Sequence, residues 1–416
     1  MANNQTKVVV VIGGGAAGFF TAINVAQDAR TRVILLEKTS KFLSKVRISG
    51  GGRCNVTNAW ADVNTFSDNY PRGAKFLRKA FNDFNNQDTV QWFNKRGVTL
   101  KAEADGRMFP SSNTSETIVD CLMEEAVKHN VTLRTKTFVE QISVHNQQYI
   151  LTLNEGEALV ADAIVLATGG YPKLEMYQWL QDSIAQQSIA APIPSLFTFN
   201  LPKNSICELM GLSVPNAVVK ILGTKIQEQG PLLITHWGLS GPVILRSSAW
   251  GAEVLHDKQW NFDIVVNWIP EFNEEAMSAH LLQVQNANAT RKMANKNPFN
   301  LPSRLWSYFL NNAAIDEEET WANLKAKCRN KLAKTLCNQL FEVRGKTTFK
   351  EEFVTAGGFE LKNIDVKTMQ SKIYPNIYVV GEVLNIDGIT GGFNFQNAWT
   401  TGFIAAKDIL KQLQAH

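Results

Sequence analysis

Unbroken apolar runs and glycine alternate over the first forty positions of the chain. Lys7 to Ile12 is β-branched, the pattern of a strand buried on both faces. Gly13-Gly14-Gly15-Ala16-Ala17-Gly18 interrupts it, Phe19 to Ala29 reads as a helix, and Arg32 to Leu36 is a second strand closed by Glu37. Val8 to Ala26 is apolar enough to imitate a secretory or membrane segment, but four glycines in six positions break it into strand, turn and helix. Short buried strands recur at Ala163 to Leu166 and Asn376 to Val380. Strand-like runs alternate with glycine and proline at Phe197 to Leu222, Pro231 to His236 and Phe262 to Trp268. From Glu271 to Val343 the texture is helical: Pro302 is placed to start one helix, and Trp321, Leu324, Cys328, Leu332, Leu336 and Leu340 give one apolar face.

The glycines carry chemistry. Gly13 permits a tight turn, Gly15 lets a pyrophosphate approach backbone N–H groups, and Gly18 lets helix and strand pack closely. Ala16 and Ala17 complete the turn as further cofactor-binding candidates, and the phosphates then sit on the N-terminus of the helix that follows, whose unpaired donors and dipole favour negative charge. Glu37, with Lys38 beside it, is placed to accept hydrogen bonds from both ribose hydroxyls, and its charge disfavours a 2′-phosphate.

FAD and NAD are separated by the far end of the chain. Asn376 to Val380 is followed by Gly381-Glu382 and then by Asp387-Gly388-Ile389-Thr390-Gly391-Gly392-Phe393-Asn394-Phe395-Gln396, which opens a helix from about Phe395 to Leu410. This strand and acid resemble the piece of glutathione-reductase-type FAD proteins in which the acid holds the ribityl chain. Ala167-Thr168-Gly169-Gly170 resembles the stretch where such chains return to the sheet. The resemblance implies FAD, with Gly381, Glu382, Gly391, Gly392, Phe393, Asn394, Thr168 and Gly169 among its contacts. No second GxGxxG exists, so a built-in NAD(P)H domain is not expected. NAD(P)H would visit as a transient reductant, or oxygen would reoxidise the flavin.

Ser49-Gly50-Gly51-Gly52-Arg53-Cys54-Asn55-Val56-Thr57-Asn58 is more distinctive than any of these. With Gly106 to Pro110, Thr235 to Pro242 and Gly388 to Gln396, it resembles a bacterial FAD flavoprotein family over essentially the whole chain. That family includes aminoacetone oxidase-like, bile-acid-reducing and 23S rRNA dihydrouridine synthase-like members. One departure is Tyr171 to Tyr177, where many relatives carry a second glycine-rich turn. The resemblance implies an α/β fold: a Rossmann-like FAD-binding domain (1–194 and 352–416) with an inserted β-rich substrate lobe (195–270 and 341–351) and a helical cap (271–340). Gly52, Arg53, Cys54 and Asn55 follow bare backbone that can fold against the cofactor, a pyrophosphate or flavin-edge role set against a surface loop. Cys54 and His236 are the candidate catalytic groups, weighed against a packed thiol and a backbone-bonded imidazole. Arg107 suits either a substrate contact or a turn salt bridge, and Thr355 to Gly358 a close backbone approach.

Composition bounds the rest. The 416 residues are 44% hydrophobic and 19% charged, an ordinary globular balance that excludes disorder and coiled coil. Cys54, Cys121, Cys207, Cys328 and Cys337 show no Cys-x-x-Cys and no close His, so neither disulfide framework nor metal site is expected, in keeping with a cytoplasmic, unprocessed chain without a membrane span. Residues 201–350 hold 17 Lys and Arg against 13 Asp and Glu, the whole of the net charge of +4. Within them Lys327, Lys331 and Lys334 share a helix stripe, fit for phosphate or for plain solvation. The expected function is NAD(P)H-driven reduction of an activated C=C bond, with uridine in ribosomal RNA favoured. The alternatives are an FAD-dependent oxidase of a small amine or aminoketone, and a non-catalytic flavin-containing RNA-binding factor.

Overall fold

Buried β-branched runs become the centre of a parallel sheet. In the computed structural model, which describes residues 6–145, 148–347 and 354–414, the chain divides into two units, Met1–Pro194 with Lys350–His416, and Ser195–Phe349. The expected boundary at residues 351 and 352 lies outside the described residues.

The first unit is built on β1 (Lys7–Ile12), α1 (Ala16–Val25), β2 (Thr31–Leu36), β3 (Thr132–Arg134), β4 (Ala163–Leu166), β5 (Ile377–Val379) and α2 (Phe393–Gln414). Its strands lie in the order β3-β2-β1-β4-β5, all paired in parallel. Val9, Val10 and Val11 are fully buried, as a strand covered on both faces requires. The chain leaves β1 towards β2 and later returns on its other side at β4, so a switch point opens beyond the carboxyl end of β1, where such folds bind nucleotides. A three-stranded antiparallel meander, Val139–His145, Gln148–Leu153 and Ala158–Ala161, connects β3 to β4. α1 begins at Ala16, three residues before the sequence suggests, because Gly15 in extended conformation already serves as its N-cap. α2 passes α1 closely: a Cβ added at Gly402 would stand 2.8 Å from Thr21 Oγ1.

The second unit holds a seven-stranded antiparallel sheet in the order Gln339–Arg344, Asn261–Asn267, Ser213–Ile221, Gln227–Ile234, Gly238–Ser240, Thr198–Asn200, Lys346–Thr347. Helices Pro242–Asp257, Glu274–Ala287, Ser303–Asn312 and Ala326–Cys337 accompany it. Sheet and helices share one core, in which Val219 and Ile264 lie with Trp306 and Leu332. The apolar face expected to run through Leu340 ends earlier. The helix stops at Cys337, and Leu340 sits 55% exposed on a strand whose Phe341 and Val343 point inward. The i+3/i+4 coincidence of Leu340 crosses a change of period from 3.6 to 2. Among the described residues no helix is long and apolar enough to cross a membrane.

Candidate cofactor and active site

The glycine turn after β1 is constrained by neighbours on one side and open on the other. Gly13 has φ +118, and a Cβ there would stand 2.3 Å from the carbonyl oxygen of Ala167; at Gly18 it would meet the Gly13 carbonyl oxygen at 1.9 Å. At Gly15 it would meet nothing within 4 Å. The close approaches are thus at Gly13 and Gly18, and free space lies at Gly15, where α1 begins and its N–H groups favour an anion. Glu37 Oε2 accepts the Gly14 N–H at 2.9 Å and Oε1 accepts the Thr39 N–H at 2.8 Å. Two backbone donors therefore fix the carboxylate. A cavity of about 590 Å³ adjoins it, lined by Gly13, Glu37, Lys38, Val139, Thr168 and Tyr171 among others.

The C-terminal pieces meet the same turn. A Cβ on Gly381, φ +77, would stand 2.7 Å from that of Ala17, and the Gly381 N–H donates to Thr401 Oγ1 on α2. Glu382 accepts from Lys45 Nζ at 2.7 Å and from the Thr355 N–H at 3.2 Å. Gly169, φ +72, is nearby, its added Cβ lying 3.7 Å from Glu382 Oε2.

The decapeptide at 49–58 is tied to the loop that opens α2. Asn58 Nδ2 donates to the Gly391 carbonyl at 3.0 Å, and Thr57 Oγ1 donates to Gln396 Oε1 at 2.6 Å. A Cβ on Gly392 would lie 2.4 Å from the Thr57 carbonyl oxygen. Tyr70 donates its hydroxyl proton to the Phe393 carbonyl at 2.7 Å, while the Asn394 amide closes its own loop onto both backbone groups of Gly388. Gly50, Gly51 and Gly52 are all left-handed, and Gly51 and Gly52 border open space. Buried Asn55 Oδ1, Thr355 Oγ1 and Asn397 Oδ1 find no hydrogen-bond partner among the described residues. Three orphaned polar atoms in the same unit as an open glycine turn and a fixed carboxylate fit a ligand rich in hydroxyl and N–H donors, as FAD is.

Other expected residues have different surroundings. Arg53 pairs with Glu103 at 2.6 Å and lies 4.0 Å from the Phe109 ring centroid. Arg107 shares Glu103 and bonds Asp105 at 2.7 Å, the turn salt bridge among its two readings. Cys54, the first of the two candidate catalytic groups, has a fully buried thiol, and burial pushes its pKa up to about 12 despite a hydrogen bond to Ser49. Those are the surroundings of a packed thiol, the other reading of this residue. His236 is exposed in the second unit, on the turn between Gln227–Ile234 and Gly238–Ser240. Thr235 Oγ1 accepts the N–H groups of Trp237 and Gly238 and holds that turn. Gly357 and Gly358 do mark close backbone approaches, to the Ala191 and Val383 carbonyl oxygens. All five cysteines are free, and no metal-binding cluster occurs among the described residues.

Sequence reasoning missed Lys45, which meets Glu382 across 337 positions, and the buried pair of Arg72 with Asp387. No local period could have joined either. It also missed Val139, Met176 and Trp179 on the cavity wall.

Comparison with known proteins gives this arrangement its setting. The family described as HI0933-like protein Rossmann domain matches residues 7–408. The ribosomal RNA dihydrouridine synthase of Escherichia coli (strain K12) is 30% identical over 410 residues, 96% of this chain and 97% of that protein. A 3-dehydro-bile acid delta(4,6)-reductase of Clostridium scindens is 25% identical over 412 residues, 95% of this chain and 97% of that protein. Among solved structures, the 3-ketosteroid delta1-dehydrogenase from Sterolibacterium denitrificans reaches a TM-score of 0.51 at 13% identity, covering 98% of this chain and 100% of that one. At that identity the likeness is one of fold.

Proposed function

The chain belongs to the HI0933-like Rossmann family of FAD-dependent oxidoreductases, and from that membership we propose that it uses NAD(P)H to reduce an activated carbon–carbon double bond, with uridine in ribosomal RNA as its substrate. Bound FAD would supply the two-electron carrier between the nicotinamide and that bond. The protein's own work is binding and proton management. Gly13, Gly15 and the first turn of α1 would hold the pyrophosphate, Glu37 the ribose and Glu382 the ribityl chain. Orphaned Asn55 Oδ1 and Thr355 Oγ1 would accept from the cofactor's donors.

The C5=C6 bond of uracil is conjugated to the C4 carbonyl, which leaves C6 electron-poor and places the incoming proton at C5. Fully buried Cys54 cannot supply it, and we assign the donor to the exposed imidazole of His236. Support for a double-bond reduction comes from the names of two relatives similar over nearly their whole length, a ribosomal RNA dihydrouridine synthase and a 3-dehydro-bile acid delta(4,6)-reductase.

The observation that favours RNA is the surface of helix Ala326–Cys337. Lys327, Lys331 and Lys334 are exposed on it, and none has an ion-pair partner among the described residues. Such a stripe supplies sequence-independent phosphate contacts. A cytoplasmic location accompanies this reading.

Nucleoside mass spectrometry of ribosomal RNA from a deletion strain tests it. The expected result is the loss of a dihydrouridine that returns with the wild-type gene and not with a His236→Ala copy. Unchanged RNA, together with stoichiometric peroxide from aminoketones, would establish the oxidase instead.

A further inference from the structure

The wall of the cavity that carries Tyr171, Met176 and Trp179 comes from a segment that the cofactor reading leaves unused. We propose that Tyr171 to Trp179 is a clamp on the adenosine half of FAD, in which Met176 and Trp179 provide an apolar face for the adenine. The proposal rests on FAD as the cofactor and is independent of the RNA substrate.

Three walls surround the cavity. The carboxyl ends of β1 and β2 give Ile12, Gly13, Leu36 and Glu37; the start of the meander gives Thr137, Phe138 and Val139; the third wall is Thr168, Tyr171, Met176 and Trp179. Phosphates at the glycine turn and ribose hydroxyls on Glu37 would occupy the polar edge. What is attached to that ribose must then enter the remaining space, which is bounded by a phenyl ring, a thioether and an indole. Such surfaces suit a planar purine, which gains from stacking and from thioether contact.

Exposure points the same way. Phe138 is 47% and Met176 38% exposed, although both are apolar and both line the cavity. A flat ring between them would remove that surface from water.

The third wall is also anchored rather than free. Tyr171 is buried, packs edge-on against Tyr177 with centroids 4.7 Å apart, and shares side-chain hydrogen bonds with Trp179 and Thr168. Lys38, next to Glu37, places its ammonium 5.0 Å from the Tyr171 ring centroid, tying the ribose wall to the clamp. The face offered to the base is therefore set before the ligand arrives, which lowers the ordering cost of binding.

The full-length protein, freed of flavin and refilled as a control, is titrated separately with ADP, FAD and FMN by calorimetry. In a Met176→Ala, Trp179→Ala double variant, the dissociation constants for ADP and FAD are expected to rise about ten- to hundredfold, the range that loss of base stacking implies. FMN, which has no adenosine, should bind as it does to wild type. Trp179→Phe should restore most of the ADP affinity, since it keeps an aromatic face; a purely structural role for the indole would not make that distinction between ligands. ADP affinity within twofold of wild type would overturn the clamp. So would FMN weakening in step with ADP, because the damage would then be general. Wild-type protein that binds ADP and FMN but not FAD would overturn the cofactor assignment and the clamp with it, whatever the fate of the RNA substrate.

Discussion

Cys54 combines two properties that decide its role. Its backbone is left-handed at φ +58, a conformation that costs a non-glycine residue about 1–2 kcal/mol, and its side chain is sealed from solvent. Burial pushes the thiol's pKa up to about 12, with Ser49 opposing through a hydrogen bond. Near neutral pH the group stays protonated, as a donor would need, but a sealed donor can neither touch a substrate nor be recharged from water. We expect Cys54→Ala to retain FAD and turn over within about threefold of wild type, while losing about 1–2 kcal/mol of stability to the vacated volume. Turnover and urea midpoints measured on one preparation check both numbers. A loss of turnover of a hundredfold or more with FAD content intact would restore the thiol to the reaction. His236 is the contrasting case: an exposed imidazole on a turn held by Thr235 is accessible to a substrate without any rearrangement of the core.

Between elements, the decisive bonds join parts of the chain that are far apart in sequence. The Asn58 amide and Thr57 hydroxyl bond Gly391 and Gln396, and Gln396 also accepts from Thr89 and donates to Thr400, so that one buried amide fastens the decapeptide to α2. Glycines on the two sides of this joint differ physically. Gly392 has φ +93, and its added Cβ would collide with the Thr57 carbonyl oxygen at 2.4 Å; Gly51 has φ +69 and meets nothing within 4 Å. In flavin-free protein, Gly51→Ala should therefore cost only the left-handed conformation, about 1–2 kcal/mol, whereas Gly392→Ala should cost about 3 kcal/mol or more because backbone must move. Urea unfolding of the two variants separates the effects, and equal losses would show that the close approach at Gly392 carries no energy.

This difference in range also explains what is legible in the sequence. β1, the glycine turn, α1 and β2 form one local unit whose period and punctuation are continuous, and Glu37 follows from its place at the end of β2. The joint of Lys45 with Glu382 is invisible because 337 positions separate two residues whose own neighbourhoods say nothing of each other. Leu340 misleads for the opposite reason: local spacing matches a helix, and the ladder to Asn261–Asn267 overrides it. Met176 and Trp179 look like ordinary apolar residues until the fold brings the meander and the ends of β1 and β2 beside them.

For the molecule as a whole, charge is the property that separates RNA from a small substrate. The excess of positive charge resides in residues 201–350, yet its parts are not equivalent. Lys292 pairs with Glu318 in the acidic run Asp316 to Glu319, and Arg246 pairs with Glu228, so those cations are already partly neutralised. Lys327, Lys331 and Lys334 are exposed, on the side of their helix away from Leu332, Ala333 and Leu336, and they have no ion-pair partner among the described residues. Replacing all three by Gln removes charge without disturbing those buried positions, so flavin content and reduction by NAD(P)H should be unchanged. If the stripe grips phosphates, affinity for a ribosomal RNA fragment should fall, and the slope of log affinity against log salt should shrink by about 0.7–0.9 for each phosphate no longer neutralised. A small neutral substrate would respond little, because the field of exposed lysines is screened over about 8 Å at physiological salt. The salt slope is the more discriminating readout: a general loss of folding lowers the active fraction at every salt concentration alike, whereas weaker neutralisation of phosphates changes the dependence itself. A triple variant with wild-type affinity and wild-type slope would assign the stripe to solvation and leave the RNA reading to sequence relationship alone.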